Sequence, residues 1–211
     1  MKLIKAVENL RKTKIRREVK SRLREFKALN KKSSKEWFCE MCFCILTANS
    51  KAKTALAIQQ ELSAPGFCTM CHKDVRGAIK KHKHRFHNNK ARYIVEARKY
   101  LNIKDIIKRK VKESGQRGAR EWLVKNVKGI GYKEASHFLR NVGYFDLAIL
   151  DRHIINLMLE NRLIKQKPKT LSKNKYLKIE ETFRELAGEL GMSTAELDLY
   201  MWYLKTGKVM K

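Results

Sequence analysis

Proline is almost missing from this chain: Pro65 and Pro168 are the only two among 211 residues. Proline is the residue that most often breaks a helix interior, so long stretches are free to be helical. Acidic side chains are scarce as well, 21 Asp and Glu against 49 Lys and Arg, for a formal net charge of +28. Such a chain repels itself unless neutralised and attracts phosphate over long range. No run approaches ~20 apolar residues and no signal pattern opens the sequence. A membrane is therefore not the expected partner; nucleic acid inside the cell is. Five cysteines (Cys39, Cys42, Cys44, Cys68 and Cys71) are an odd number for such a setting, and a disulfide framework is not expected. Repeats and low-complexity segments are absent. The length suffices to bury a core in one or two domains.

The hydrophobic pattern is helical throughout, and no segment reads as a strand. Residues 1–32 carry 13 Lys and Arg and three Glu. Ile15, Val19, Leu23, Phe26 and Leu29 recur there as on one helix face. Ser34 is a candidate cap for the next helix, Lys35–Leu46, which is the most apolar in the chain. A polar loop, residues 47–50, leads to a helix over 51–62. Cys39-x-x-Cys42 and Cys68-x-x-Cys71 have zinc-ligand spacing. The first pair, however, lies inside an apolar helix where buried thiols act as small hydrophobes, so no metal is expected there. The run 80–87 reads as a solvated basic face carrying three histidines. Helices are expected near 94–101, 105–112 and 117–125, with a break at Ser114-Gly115, and again over 151–163 and 176–190. Gly191-Met192-Ser193 caps the last helix, on which Asp198 and Trp202 share a face.

The stretch 123–153 organises the rest. A helix ends near Lys125, the chain turns at Gly129-Ile130-Gly131, and a second helix begins at about Tyr132. Two glycines around one aliphatic residue make a tight hairpin, with the isoleucine plugging the core. The N–H groups at the helix start offer a phosphate site that ignores sequence. Lys133 stands two places beyond the hairpin, Asp151 follows 18 positions later at the end of an apolar run, and His153 comes next but one. The plain alternative makes Lys133 a solvated lysine and Asp151 a helix cap.

Hairpin, lysine and aspartate together resemble the helix-hairpin-helix DNA glycosylase superfamily, in its bifunctional glycosylase/lyase branch. Over nearly the whole chain the sequence is similar to the type-2 archaeal 8-oxoguanine DNA glycosylases, short enzymes without an N-terminal β-domain that end in lysine. Many relatives have Leu-Pro-Gly where this chain has Val127-Lys128-Gly129. The resemblance implies an all-α fold of two helical subdomains, 1–48 with 126–211 and 49–125, with an active site in the cleft between them. It implies Lys133 as nucleophile and Asp151 as its electrostatic partner. Lys211, Asp198, Trp202 and His137 would read the base, and Gly129, Gly131, Lys128 and His153 would hold the backbone. Asn49 and Ser50 would probe the opposite strand. A monovalent cation on the carbonyls of Lys125, Val127 and Ile130 is implied, but no other cofactor. The expected partner is duplex DNA with an oxidised guanine, bound by a monomer at the nucleoid in the cytoplasm. A glycosylase for another lesion, a non-catalytic hairpin module and a zinc-dependent adaptor stay open as rivals.

Overall fold

Capping chemistry decides where several of the helices start. In the computed structural model, which describes residues 2–211, all regular structure among the described residues is helical. Helices α1 (Lys2–Arg11) and α2 (Ile15–Lys31) are followed by α3 (Ser34–Thr47). Ser33, one residue before the expected cap, starts α3 with a reciprocal pair of bonds. Its Oγ accepts the Glu36 N–H, and Glu36 Oε2 accepts the Ser33 N–H at 2.9 Å. Such a box fixes two orphan donors of the first turn. Helices α4 (Ala52–Thr69), α5 (His72–Lys81), α6 (His87–Ala97) and α7 (Ile103–Asn126) follow, then α8 (Tyr132–Asn141), α9 (Arg152–Glu160), α10 (Lys173–Glu189) and α11 (Thr194–Thr206). Backbone breaks interrupt α4 at Ser63, ahead of Pro65, and α7 at Ser114-Gly115 as the sequence predicts.

The chain forms two compact units, Leu29–Phe138 and Met1–Ala28 with Leu139–Lys211. These boundaries replace the expected 48/49 and 125/126. Helix α3 packs against α4, α6 and α7, so it belongs with them. Every residue of α3 from Trp37 to Thr47 is buried, as a helix apolar on all sides requires. Trp37 closes this core edge-on to Phe138, ring centroids 6.1 Å apart, and donates its indole N–H to the Leu29 carbonyl at 2.9 Å. Cys39, Cys42 and Cys44 are part of the same core. Burial and the neighbouring thiols push the Cys42 thiol well up. Among the described residues no group of three or more His, Cys, Asp or Glu could hold a metal ion, and no helix is long and apolar enough to cross a membrane.

In the other unit, α11 packs on α1, α9 and α10. Ile15, Val19 and Phe26 form the buried stripe of α2, while Leu23 and Leu29 are half-buried. Ser193 caps α11, its Oγ accepting the Glu196 N–H at 3.2 Å.

Candidate active site

The hairpin is built from tight backbone approach. Its first glycine, Gly129, has φ +83°, and a Cβ there would lie 2.5 Å from Cδ2 of Tyr93 on α6. Only glycine meets both conditions without strain. The second, Gly131, starts α8, its carbonyl accepting the Ala135 N–H at 2.9 Å. Its own N–H is bonded to Glu134 Oε2 at 3.2 Å, so one donor of the expected phosphate site is already engaged within the chain. Ile130 is buried, as the plug should be, and Lys128 is exposed and paired with Glu96 of α6 at 3.0 Å. Tyr93 and Glu96 thus dock α6 along the hairpin. The Lys125, Val127 and Ile130 carbonyls are hard oxygen donors. One lone pair of Val127 O takes the Ile130 N–H at 3.3 Å, and a second remains.

Lys133 lies in the first turn of α8 with 27% of its side chain exposed, its Nζ 2.8 Å from Glu134 Oε1. It is neither a freely solvated lysine nor a buried one. One turn further on, half-buried His137 packs edge-on against Phe43 of α3, centroids 5.6 Å apart. Nearby, Arg120 of α7 is fully buried and donates to Ser136 Oγ at 3.2 Å.

Asp151 is held by a different device in the other unit. The apolar run 147–150 is not helical, and Ala148 is clasped from α10 at both backbone groups. Its N–H goes to Glu180 Oε1 at 3.0 Å, and its carbonyl accepts the Tyr176 hydroxyl at 2.7 Å. Asp151 emerges from this clasp as the N-cap of α9, which therefore starts at Arg152 rather than Asp151. Its Oδ1 accepts the Ile154 N–H at 2.8 Å. The helix-cap reading is therefore correct as geometry. It does not compete with a chemical role, because a cap bond occupies only part of a carboxylate's acceptor capacity.

The proposed base readers in this unit fall into distinct environments. Trp202 sits edge-on to His153, centroids 5.1 Å apart, and its buried indole N–H has no hydrogen-bond partner among the described residues. Asp198 is only 4% exposed and forms an ion pair with Arg140, which also donates to Asn141 Oδ1 at 2.8 Å. Burial raises the Asp198 carboxyl to about 6, against the pull of Arg140, and the nearby Asp151 charge adds to the rise. Lys211 is partly exposed. In the unit built on α3, Asn49 is exposed with φ +59°, and Ser50 donates its N–H to Thr47 O at 3.2 Å. Asparagine is among the few side chains that tolerate that conformation.

Several residues that shape these environments are not evident from the sequence. Arg140 and Asn141 are buried inside a segment that reads as an amphipathic helix end. Glu180 and Tyr176 are spaced four apart on α10 and look like one polar and one aromatic position among many. Lys90, 5% exposed, and His84, 2% exposed, come from or beside the basic run that reads as solvated. The expectation that its histidines all lie on the surface is wrong for His84. Its Nε2 pairs with the Leu46 carbonyl at 2.9 Å, and its Nδ1 accepts the Phe86 N–H at 3.2 Å.

Residues 19–192 match the family model described as 8-oxoguanine DNA glycosylase. The chain is 50% identical over all of its length to the 8-oxoguanine DNA glycosylase/AP lyase of Methanocaldococcus jannaschii, covering 100% of both proteins. It is 42% identical to the protein of that name from Korarchaeum cryptofilum, over 99% of this chain and 98% of the relative. The crystal structure of the M. jannaschii enzyme with a 15mer DNA containing 8-oxoguanine superposes with a TM-score of 0.96, at 49% identity and full coverage of both chains. The Thermotoga maritima 8-oxoguanine DNA glycosylase gives 0.92 at 41% identity, over 100% of this chain and 99% of that one. On the family match and the identity to these relatives together, the chain belongs to the 8-oxoguanine DNA glycosylase family.

Proposed function

We propose that this protein excises 8-oxoguanine from duplex DNA and then cleaves the strand at the resulting abasic site. The observation that carries this reading is the half-buried Lys133, in the first turn of the helix that leaves the hairpin, in a chain half identical to a named glycosylase/lyase. A duplex hides the glycosidic bond, so the target nucleotide is flipped out at a cost of about a few kcal/mol. The neutral Lys133 amine attacks C1′, and the bond to the base breaks. Asp151 stabilises positive charge developing on the sugar. The resulting Schiff base acidifies C2′, and loss of that proton drives β-elimination of the 3′ phosphate.

Gly129, Gly131, Lys128 and His153 hold the backbone, while Asn49 and Ser50 contact the opposite strand. A monovalent cation on the hairpin carbonyls would add positive charge beside a phosphate. Trp202 offers the base an aromatic face and an unspent N–H donor; His137, Asp198 and Lys211 complete the reading of the lesion. In this reading the protein acts as a monomer on the nucleoid.

Borohydride trapping on a duplex with one 8-oxoguanine tests the proposal, with wild type and Lys133→Gln side by side. A covalent adduct with wild type alone is expected. An adduct in both moves the nucleophile elsewhere. No adduct with this lesion or with an abasic site leaves a non-lyase glycosylase or a binding module.

A further inference from the structure

Lys133 and His137 stand one turn apart on α8, and the residue before each of them is held by α7. Those two residues, Tyr132 and Ser136, are four positions apart and so share one helix face. Arg120 grips that face at both turns. Its guanidinium carbon lies 5.3 Å from the centroid of the Tyr132 ring, and its Nη1 donates to Ser136 Oγ at 3.2 Å. From the next position of α7, the Glu121 carboxylate accepts the Tyr132 hydroxyl, with its two oxygens 2.7 and 2.6 Å away. Arg120 and Ser136 are both fully buried. All of these groups belong to one unit, and α7 and α8 are the two helices that the hairpin joins.

A grip of this kind fixes a rotation. Successive helix residues are about 100° apart, so Lys133 and His137 occupy the flank beside the gripped face. Side-chain tips lie about 5–6 Å from a helix axis, and a turn of roughly 10° carries them sideways by about 1 Å. Misplacing a reacting group by that much costs on the order of a hundredfold in rate. Packing alone does not call for a cation here, because an apolar side chain of similar volume often stabilises a buried site as well as a charge does. What a guanidinium adds is direction: it is planar, stacks on a ring and donates from a fixed fork. We propose that Arg120 and Glu121 are positioning residues for the glycosylase/lyase reaction. By holding Tyr132 and Ser136 they fix the rotation of α8, and so aim Lys133 at the sugar and His137 at the base. This rests on Lys133 being the nucleophile.

The test is single-turnover borohydride trapping on a duplex with one 8-oxoguanine, under protein excess, with rate constant and amplitude recorded separately. Affinity for an undamaged duplex is measured alongside. The variants are Tyr132→Phe, Ser136→Ala, the two combined, Arg120→Met and Arg120→Lys. Tyr132→Phe keeps the ring on Arg120 and loses the bond to Glu121, while Ser136→Ala removes the acceptor of Arg120. Each alone is expected to slow the rate constant about fivefold, the size of one lost hydrogen bond. The combined variant and Arg120→Met should slow it about a hundredfold, with amplitude and affinity unchanged. Arg120→Lys should follow Arg120→Met, because lysine keeps the charge but lacks the planar fork.

A combined variant that traps within about twofold of the wild-type rate constant would overturn the proposal. So would a loss confined to the amplitude, the mark of a misfolded fraction, or one matched by a loss of affinity, the mark of a disturbed phosphate grip. If Arg120→Met does not fold, the two α8 substitutions still decide, since each removes a single oxygen and leaves the packing in place. Trapping by Lys133→Gln at the wild-type rate would instead remove the underlying nucleophile assignment, whatever the other variants do.

Discussion

Replacing Gly129 by alanine puts the hairpin geometry to a quantitative test. At φ +83° any residue with a Cβ is strained, which costs about 1–2 kcal/mol. The added carbon would also lie 2.5 Å from Tyr93 Cδ2 and 3.2 Å from two further carbons of the same ring. Overpacking of this kind costs about 1–3 kcal/mol more, for a total of roughly 2–5 kcal/mol. In a domain of this size that lowers Tm by about 2–4 °C per kcal/mol, or on the order of 10 °C. Gly131→Ala is the internal control. No positive φ applies there, and its Cβ meets only the tip of Glu134 at 3.2 Å, so its loss should stay near ~1 kcal/mol or below, as for a helix-end substitution. Urea melts of Gly129→Ala, Tyr93→Ala and the double variant separate the two costs. The ring clash should appear as a coupling of about 1–3 kcal/mol, because removing Tyr93 relieves it while the backbone strain persists. Equal stabilities for the two glycine variants, or strict additivity with Tyr93→Ala, would refute the reasoning.

Two more outcomes follow from the structure. Asp151→Asn should leave stability within about 0.5 kcal/mol, because asparagine caps a helix as well as aspartate, yet abolish single-turnover base release. A parallel loss of Tm would mean that the aspartate acts mainly as a structural cap. His84→Phe strands the Leu46 carbonyl and the Phe86 N–H, for a loss of roughly 2–4 kcal/mol near neutral pH. Burial holds the His84 ring below its ordinary 6.5, so the stability it brings is present above that pH and lost as pH falls through the folded value. The gap between the variant and wild type should therefore narrow in urea melts on acidification, and a gap constant with pH contradicts this account.

The all-helical fold and the hairpin are legible in the sequence because both rest on local signals. Amphipathic period, the two glycines and the small breaks at Ser63 and Ser114-Gly115 each act over a few residues. The helix starts at Ala52 and Tyr132 are likewise within one residue of expectation. The unit boundaries are less legible because α3 is apolar on every side. Its sequence says that it is buried but not against what, and packing with α4, α6 and α7 is a matter of distant contacts. Asp198 shows the same limit at the level of one side chain. Its spacing from Trp202 suggests a shared face, but its partner, Arg140, lies 58 positions away. Lys90 and His84 mislead for a related reason: in a chain with 49 Lys and Arg, a buried basic residue looks like all the others. The bland and the chemical readings of Asp151 turn out to be compatible, since the clasp on Ala148 aims a cap that also carries charge.

The thiols of the α3 core make this protein its own clock. Cys71 is exposed and Cys68 half-buried, whereas Cys39, Cys42 and Cys44 are enclosed. Burial also raises the Cys68 and Cys42 thiols, and it is the thiolate that reacts. A maleimide or disulfide reagent should therefore modify Cys71 at once and Cys68 slowly. The other three should react only at the rate at which α3 leaves its neighbours. Counting attached labels by mass over time would time the opening of that core under native conditions, with no engineered probe.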